Sequence, residues 1–194
     1  MKSTLINIFF IVLVSVIAMA QTVQTDSDFR IARLKYSGGG DWYNDPSSLP
    51  NLMEYLRTHT SIRVGIEDVN VSLTDEDLFE HPFLFMTGHG RISFSEREAK
   101  RLYTFLTNGG FLYADDDYGM DEYFRREMNK VFPNKEPVEV PFSHPIFHSH
   151  FDFANGLPKI HEHDGGPPKA FAWFHNGRMV AFYSFNSNIS DGWP

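Results

Sequence analysis

Three consecutive aspartates, Asp115, Asp116 and Asp117, follow a short apolar segment and are the residues best suited to chemistry. Crowded carboxylates raise one another's pKa or bind a cation, and they can also accept hydrogen bonds from sugar hydroxyls. Alternate side chains of an extended turn point to opposite sides, so at most two face one ligand. We select Asp116 as a catalytic residue and Asp115 as a ligand-binding residue. The alternative is that one aspartate caps the next helix and the others face water.

A histidine between two glycines follows another apolar segment, in the order Gly88, His89, Gly90. The glycines allow a tight turn and a close approach of the backbone to a neighbour. We predict that His89 is a catalytic proton carrier or ligand and that both glycines contact a ligand. The alternative is a glycine-rich turn whose histidine is merely exposed.

A third glycine-rich turn begins with three glycines and continues with polar and aromatic residues. Its candidate ligand-binding residues are Gly39, Gly40, Asp41, Trp42 and Tyr43. Such a turn could form an anion-binding nest or an aromatic wall. It lacks the G-x-G-x-x-G pattern, and no helix begins at its glycines, so a loop for nucleotide phosphates is not indicated. The alternative is a flexible loop anchored by packing of the tryptophan.

Histidines are concentrated in the later part of the chain. Five of the nine lie in one segment: His144, His148, His150, His161 and His163. With Asp152 or Asp164, the last four are weak candidates for a zinc site of histidine and carboxylate ligands. No fixed metal signature accompanies them, and surface histidines are the alternative. The sequence therefore requires no cofactor and is compatible with a divalent metal.

The elements that carry these turns alternate between strand and helix patterns. We predict strands at 29–36, 62–73, 83–86 and 111–114, the second either continuous or broken at Glu67-Asp68, and helices beginning near residues 48, 74, 95 and 120. Residues 170–174 and 179–185, joined by an Asn-Gly turn, predict a C-terminal β-hairpin. The alternation indicates an α/β fold with a parallel sheet. All three turns would then open at the carboxyl edge of that sheet, where ligands bind in such folds.

The motifs together resemble a bacterial family known as domain of unknown function 4159. They comprise the glycine-Asp-Trp-Tyr turn, the Gly-His-Gly turn, the Gly109-Gly110 segment that leads into Asp115 and Asp116, and His144 followed by Pro-Ile-Phe. The resemblance covers roughly residues 29–193 and implies no activity. It adds His144 to the candidate ligand-binding residues.

That family in turn resembles the class I glutamine amidotransferase-like fold, a flavodoxin-like three-layer sandwich with a parallel sheet. In that superfamily, a helix ending in Gly-Gly precedes a buried strand and a turn that carries a nucleophilic cysteine. The matching turn here carries aspartate, and the chain has no cysteine. The resemblance therefore implies the fold and excludes the thiol mechanism.

The N-terminal sequence and the composition indicate where the protein is located and which partners it lacks. Lys2, the apolar residues 5–17 and Ala18-Met19-Ala20 predict a signal peptide over residues 1–20, and hence a periplasmic or extracellular protein. A mobile leader (21–28) and a single α/β domain (29–194) follow, and the abrupt end is compatible with a C-terminally shortened domain. The formal net charge of −8 argues against nucleic acid. No second apolar stretch approaches membrane length.

Two functions remain open on the sequence. The first, which we favour slightly, is a binding or scaffold module of the cell envelope whose ligand is a small molecule, a glycan or a protein. The second is a hydrolase of an envelope glycan or peptide that uses Asp116 and His89, with or without a metal. Proximity of carboxylate and histidine would favour the hydrolase.

Overall fold

The computed structural model describes residues 28–65, 68–161 and 165–193. The seven strands of the described part are β1 (Ile31–Lys35), β2 (Val69–Ser72), β3 (Phe83–Met86), β4 (Phe111–Asp115), β5 (Val138–Glu139), β6 (Lys169–His175) and β7 (Arg178–Phe185). Its three α-helices are α1 (Ser48–His59), α2 (Glu96–Thr107) and α3 (Asp121–Val131). Short 3₁₀ turns span Glu76–Glu80, Pro145–Phe147 and Ile189–Gly192.

The strands form one mostly parallel sheet in the order β2-β1-β3-β4-β7-β6-β5. The first five strands in this order pair in parallel, whereas β6 is antiparallel to both of its neighbours. Asn176 and Gly177 connect β6 to β7, both with positive φ. The parallel arrangement brings the ends of β1, β3, β4 and β7 to one edge.

Helices cover both faces of the sheet, because the central strands are apolar on both sides. On one face Leu84 and Leu112 belong to the same buried cluster as Phe105 of α2 and Phe124 of α3. On the other face, a second cluster contains residues of α1, the central strands and the later loops: Leu49, Met53, Phe85, Tyr113, Phe147 and Leu157. The fold is therefore an α/β fold with helices on both sides of its sheet.

Local signals predicted some elements well and others poorly. The strand over Phe83–Met86 and the capping box of Ser95 and Glu98 at α2 are confirmed. The predicted strand over 62–73 is confirmed in part: among the described residues, Val69–Ser72 forms β2 and Val64 forms an isolated bridge with Phe29, on opposite sides of the break anticipated at Glu67-Asp68. The predicted acidic helix near residue 74 is a 3₁₀ turn. Strand β5 was not predicted, because it is two residues long.

Some predictions concern residues that the structure does not describe. The signal peptide, residues 21–27 of the leader and His163 lie outside the described ranges. Within those ranges, no helix has the combination of length and apolar character that crossing a bilayer requires.

A buried glutamate connects α3 to the loop after β3. Glu127 is fully buried and accepts a 2.7 Å hydrogen bond from the backbone N–H of Phe94. Its carboxylate also lies 2.6 Å from Lys130 Nζ and 2.8 Å from Arg126 Nε. The pairing with two cations compensates for the burial of the charge.

We expect Glu127→Ala to lower the free energy of unfolding by about 2 kcal/mol, because it leaves the Phe94 N–H buried without an acceptor. Thermal unfolding should then begin roughly 4–8 °C lower. Glu122→Ala, an exposed change on the same helix, is the matched control and should change stability by less than about 0.5 kcal/mol. Equal melting temperatures for the two variants would contradict the role given to Glu127.

Candidate functional site

The three turns meet at the carboxyl edge of the sheet, where His89 lies between two aspartates. His89 Nδ1 is 3.0 Å from Asp41 Oδ2, and His89 Nε2 is 3.0 Å from Asp117 Oδ2. The backbone N–H of His89 also donates to the Asp41 carboxylate. The turns after β1, β3 and β4 are therefore joined through one imidazole ring.

Two asparagines complete the environment of Asp117, whose side chain is only 3% exposed. Asn44 donates to Asp117 Oδ2, and Asn188 Nδ2 donates to Asp117 Oδ1 over 2.9 Å. Donors thus reach this carboxylate from three segments of the chain. We call Asp41, Asn44, His89, Asp117 and Asn188 the strand-end network.

Buried Arg33 of β1 holds the first of these turns against the sheet. Its guanidinium donates to the carbonyl of Asn44 over 2.7 Å and to that of Asp45 over 2.9 Å. The arginine is 2% exposed, so these bonds replace water around the charge. Asn44 is thereby presented to Asp117 in a fixed position.

The two aspartates selected from the sequence lie in the interior. Asp115 is fully buried and accepts hydrogen bonds from the Ser184 hydroxyl and, over 2.6 Å, from the Ser190 N–H. Asp116 is 4% exposed and accepts 3.2 Å bonds from the N–H groups of Met120 and Asn186. Burial raises the pKa of both carboxyls. Asp116 thus binds the residue that precedes α3, close to the capping role of the alternative interpretation, but the other two aspartates are buried and do not face water as that interpretation expected. The aspartate that meets His89 is Asp117.

Close packing between the first two turns accounts for two of the candidate glycines. A Cβ on Gly40 would lie 2.7 Å from the His89 carbonyl oxygen and 2.8 Å from that of Arg91. A Cβ on Gly88 would lie 2.8 Å from the Asp41 carbonyl oxygen and would overlap the Tyr36 hydroxyl. These two glycines therefore let one turn lie directly against the other.

The other two candidate glycines, Gly39 and Gly90, have positive φ and no atom within 4 Å of an added Cβ.

Aromatic residues flank the network on the surface. Trp42 is partly buried against the core, and its ring is T-shaped to that of Tyr43, with 5.5 Å between centroids. Tyr43 is 63% exposed, and Tyr118, which follows Asp117, is 45% exposed. Tyr118 forms a parallel bridge with His89, and its carbonyl accepts a 2.9 Å bond from the Gly90 N–H. Tyr118 was not selected from the sequence, although its position after the aspartates could have indicated it.

A second acidic group adjoins the network. His161 Nε2 is 2.5 Å from Asp191 Oδ2, and His161 Nδ1 is 3.3 Å from Asn188 Nδ2. Burial, the charges of Asp191 and Asp117 and a hydrogen bond to Asp191 together raise the pKa of Asp45 to about 6. No recognisable pattern marked Asn188 or Asp191, because the sequence after residue 185 resembles no regular element.

The remaining candidate histidines are engaged at separate places. His144 Nδ1 accepts a 3.2 Å bond from the Ile146 N–H. His148 binds Asp152 over 2.6 Å and the Phe142 carbonyl over 2.8 Å, whereas His150 lies 2.9 Å from the Tyr55 hydroxyl. In the described ranges, no group of three or more His, Asp or Glu side chains is arranged to hold a metal ion. The geometry therefore gives no support to a metal centre there.

The sequence matches the model of a known protein family. The model of the family described as Domain of unknown function (DUF4159) matches residues 30–194. No curated protein matches the sequence.

We expect Gly40→Ala to lower the free energy of unfolding by about 2–3 kcal/mol, since its Cβ would meet two backbone carbonyls that cannot move independently. Gly65→Ala is the matched control, because Gly65 has open space around it, and it should be neutral or slightly stabilising. Chemical denaturation of both variants measures the difference. A Gly40→Ala protein as stable as the control would show that the turns are not tightly packed.

We expect Asp45→Asn to stabilise the protein above pH 6 and to have little effect near pH 4. A pKa raised from 3.8 to about 6 means that the folded state binds this proton more tightly than the unfolded state. The stabilisation that the wild type gains from this bound proton is fully present below the unfolded-state pKa of 3.8, and it is lost as the pH rises through about 6. Asparagine carries no charge at any pH, so the variant does not suffer this loss. With allowance for solvent screening, the gain is about 1 kcal/mol, or roughly 2–4 °C in melting temperature.

Melting temperatures of the wild type and Asp45→Asn from pH 4 to pH 8 test this expectation. Asp28→Asn, an exposed change, is the control and should follow the wild-type curve. Parallel curves for the wild type and Asp45→Asn would refute the raised pKa.

Proposed function

This chain belongs to the domain of unknown function 4159 family, and we propose that it is a non-catalytic binding module whose strand-end edge takes a glycan. One observation carries the proposal. The three consecutive aspartates are buried and bound by protein donors, whereas Asp41 and His89 are partly exposed. Exposed tyrosines accompany both: Tyr43 belongs to the same turn as Asp41, and Tyr118 forms a bridge with His89. The three aspartates, which by type and spacing are best suited to chemistry, thus hold the loops in position. The surface formed by those loops is polar and aromatic.

The chemistry of that surface suits a polyhydroxylated ligand. Sugar hydroxyls can donate to the exposed part of the Asp41 carboxylate, which is 31% accessible. The rings of Tyr43 and Tyr118 offer apolar faces with a hydroxyl at one end, a combination that packs against sugar rings. The net charge of −8 disfavours polyanions, so we propose a neutral or cationic glycan.

The topology supports the position of this site. Numbered by themselves along the chain, the five contiguous parallel strands run 2-1-3-4-5, which is the flavodoxin-like order. In such sheets ligands bind where the order reverses, between the first and third strands. Asp41 and His89 follow those two strands. We therefore propose that the domain is flavodoxin-like and that its binding site lies where the strand order reverses.

The cell-envelope part of the proposal rests on the N-terminal sequence. Lys2, the apolar residues 5–17 and the small residues Ala18 and Ala20 form a signal-peptide pattern. Export would bring the chain to the periplasm or the cell exterior, where envelope glycans are accessible.

A hydrolase remains the second candidate because of one feature. His89 is 42% exposed and contacts two carboxylates, which orient its ring as a proton carrier requires. In that function Asp117, rather than Asp116, would be its carboxylate partner. Both ring nitrogens already meet carboxylates, however, and for that reason we place binding first.

Co-sedimentation of the purified protein with insoluble peptidoglycan, and affinity electrophoresis in neutral glucans, test the proposal. We expect retention by at least one glycan, weakened about fivefold or more by Tyr43→Ala and by Tyr118→Ala, because each removes aromatic contact worth roughly 1 kcal/mol. Tyr103→Ala is the matched control, since Tyr103 is 41% exposed on α2. It should bind as the wild type does.

Two results would change this conclusion. Retention by none of these glycans, or retention that both tyrosine changes leave intact, would refute glycan binding at this edge. Release of soluble fragments that His89→Gln abolishes would establish the hydrolase instead.

A further inference from the structure

A concave site lies beside α1, and none of the described residues that line it belongs to the strand-end network. It is a cleft of about 580 Å³ between that helix, residues 60–62 and residues 149–151. Its walls are mainly apolar and are formed by Leu52, Leu56, Ile62, Phe151 and Trp193. This volume is in the range of small-molecule sites.

The aromatic walls of the cleft are held in place by contacts with one another and with residues outside it. The Tyr55 ring stacks on His59, with centroids 4.3 Å apart and planes 10° apart, and its hydroxyl lies 2.9 Å from His150 Nε2. The Trp193 ring packs against Phe85 at 5.4 Å between centroids. A ligand would therefore enter a site that is already formed, which lowers the entropy lost on binding.

The polarity of the cleft restricts its ligand. Among the described residues that line it, none is Asp, Glu, Lys or Arg, and the polar groups are Tyr55, Thr60, Ser61, Ser149 and His150. A charged ligand would lose hydration without gaining a counter-charge. A neutral ligand with one or two polar atoms can bond to the hydroxyls or to the histidine.

Two apolar side chains that line the cleft are exposed to solvent. Ile62 is 47% exposed and Phe151 is 53% exposed. An inserted ring would cover both, and burial of apolar surface would favour its binding. The flat rings of Tyr55, Phe151 and Trp193 favour a planar occupant.

We propose that this cleft binds a small, uncharged, planar aromatic molecule. In the described part of the chain, the cleft shares no lining residue with the strand-end network, whose proposed ligand is polar. Its occupant has one or two rings and a single hydroxyl or similar group.

Titration of the ¹⁵N-labelled protein with 2-naphthol at pH 7 tests the proposal. The chain has three tryptophans, and Trp193→Phe identifies the indole N–H signal of Trp193. We expect a saturable shift of that signal, with a dissociation constant on the order of 100 μM, and no shift of the Trp42 and Trp173 signals. The anion 2-naphthoate should bind at least about tenfold more weakly.

Matched variants separate binding in the cleft from general adhesion. Ile62→Glu should weaken 2-naphthol binding at least about tenfold, because it places a charge on the wall. Val138→Glu makes the same change at a 55% exposed valine of β5 and should leave binding intact. Phe151→Ser provides a second cleft variant, and each variant must keep the wild-type melting temperature.

Three results would overturn the proposal. They are the absence of a saturable shift at Trp193, equal affinity for 2-naphthoate, and equal binding by Val138→Glu and the folded cleft variants.

Discussion

The carboxylate of Asp117 is the constraint on which the strand-end edge depends. An aspartate side chain that is only 3% exposed must be compensated by donors, because an unpaired buried charge is costly. Those donors come from His89 after β3, Asn44 after β1 and Asn188 after β7. The positions of three loops therefore follow from the requirements of one side chain, and Arg33 reinforces one of them from the sheet.

In this arrangement some acidic residues hold the loops in position, whereas others lie at the surface. Asp115 and Asp116 bind backbone N–H groups that precede α3 or follow β7, so they fix the loops rather than face a ligand. Asp41 and His89 lie at the outer end of the network, where solvent can reach them. A preorganised polar edge of this kind can hold a ligand without changing shape, which is consistent with a binding module.

The sequence predicted what is decided locally and missed what is decided by distant contacts. The strand Phe83–Met86 and the cap at Ser95 depend on neighbouring residues, and both are confirmed. The alternation of elements was enough to predict that the turns share one edge. The choice of Asp116 over Asp117 had no such basis, because the direction of each carboxylate depends on Asn186 and Asn188, about seventy residues away.

The two strands at the ends of the sheet also affect how molecules of this protein meet one another. Strand β2 has four residues and β5 has two, so each of these edge strands offers few unpaired N–H and C=O groups to another chain. Short edge strands are poor templates for the addition of strands from other chains, even where an exposed valine such as Val138 lies on them. The central parallel strands are apolar and would promote aggregation if they were edge strands. In this sheet each of them is paired with a strand on either side.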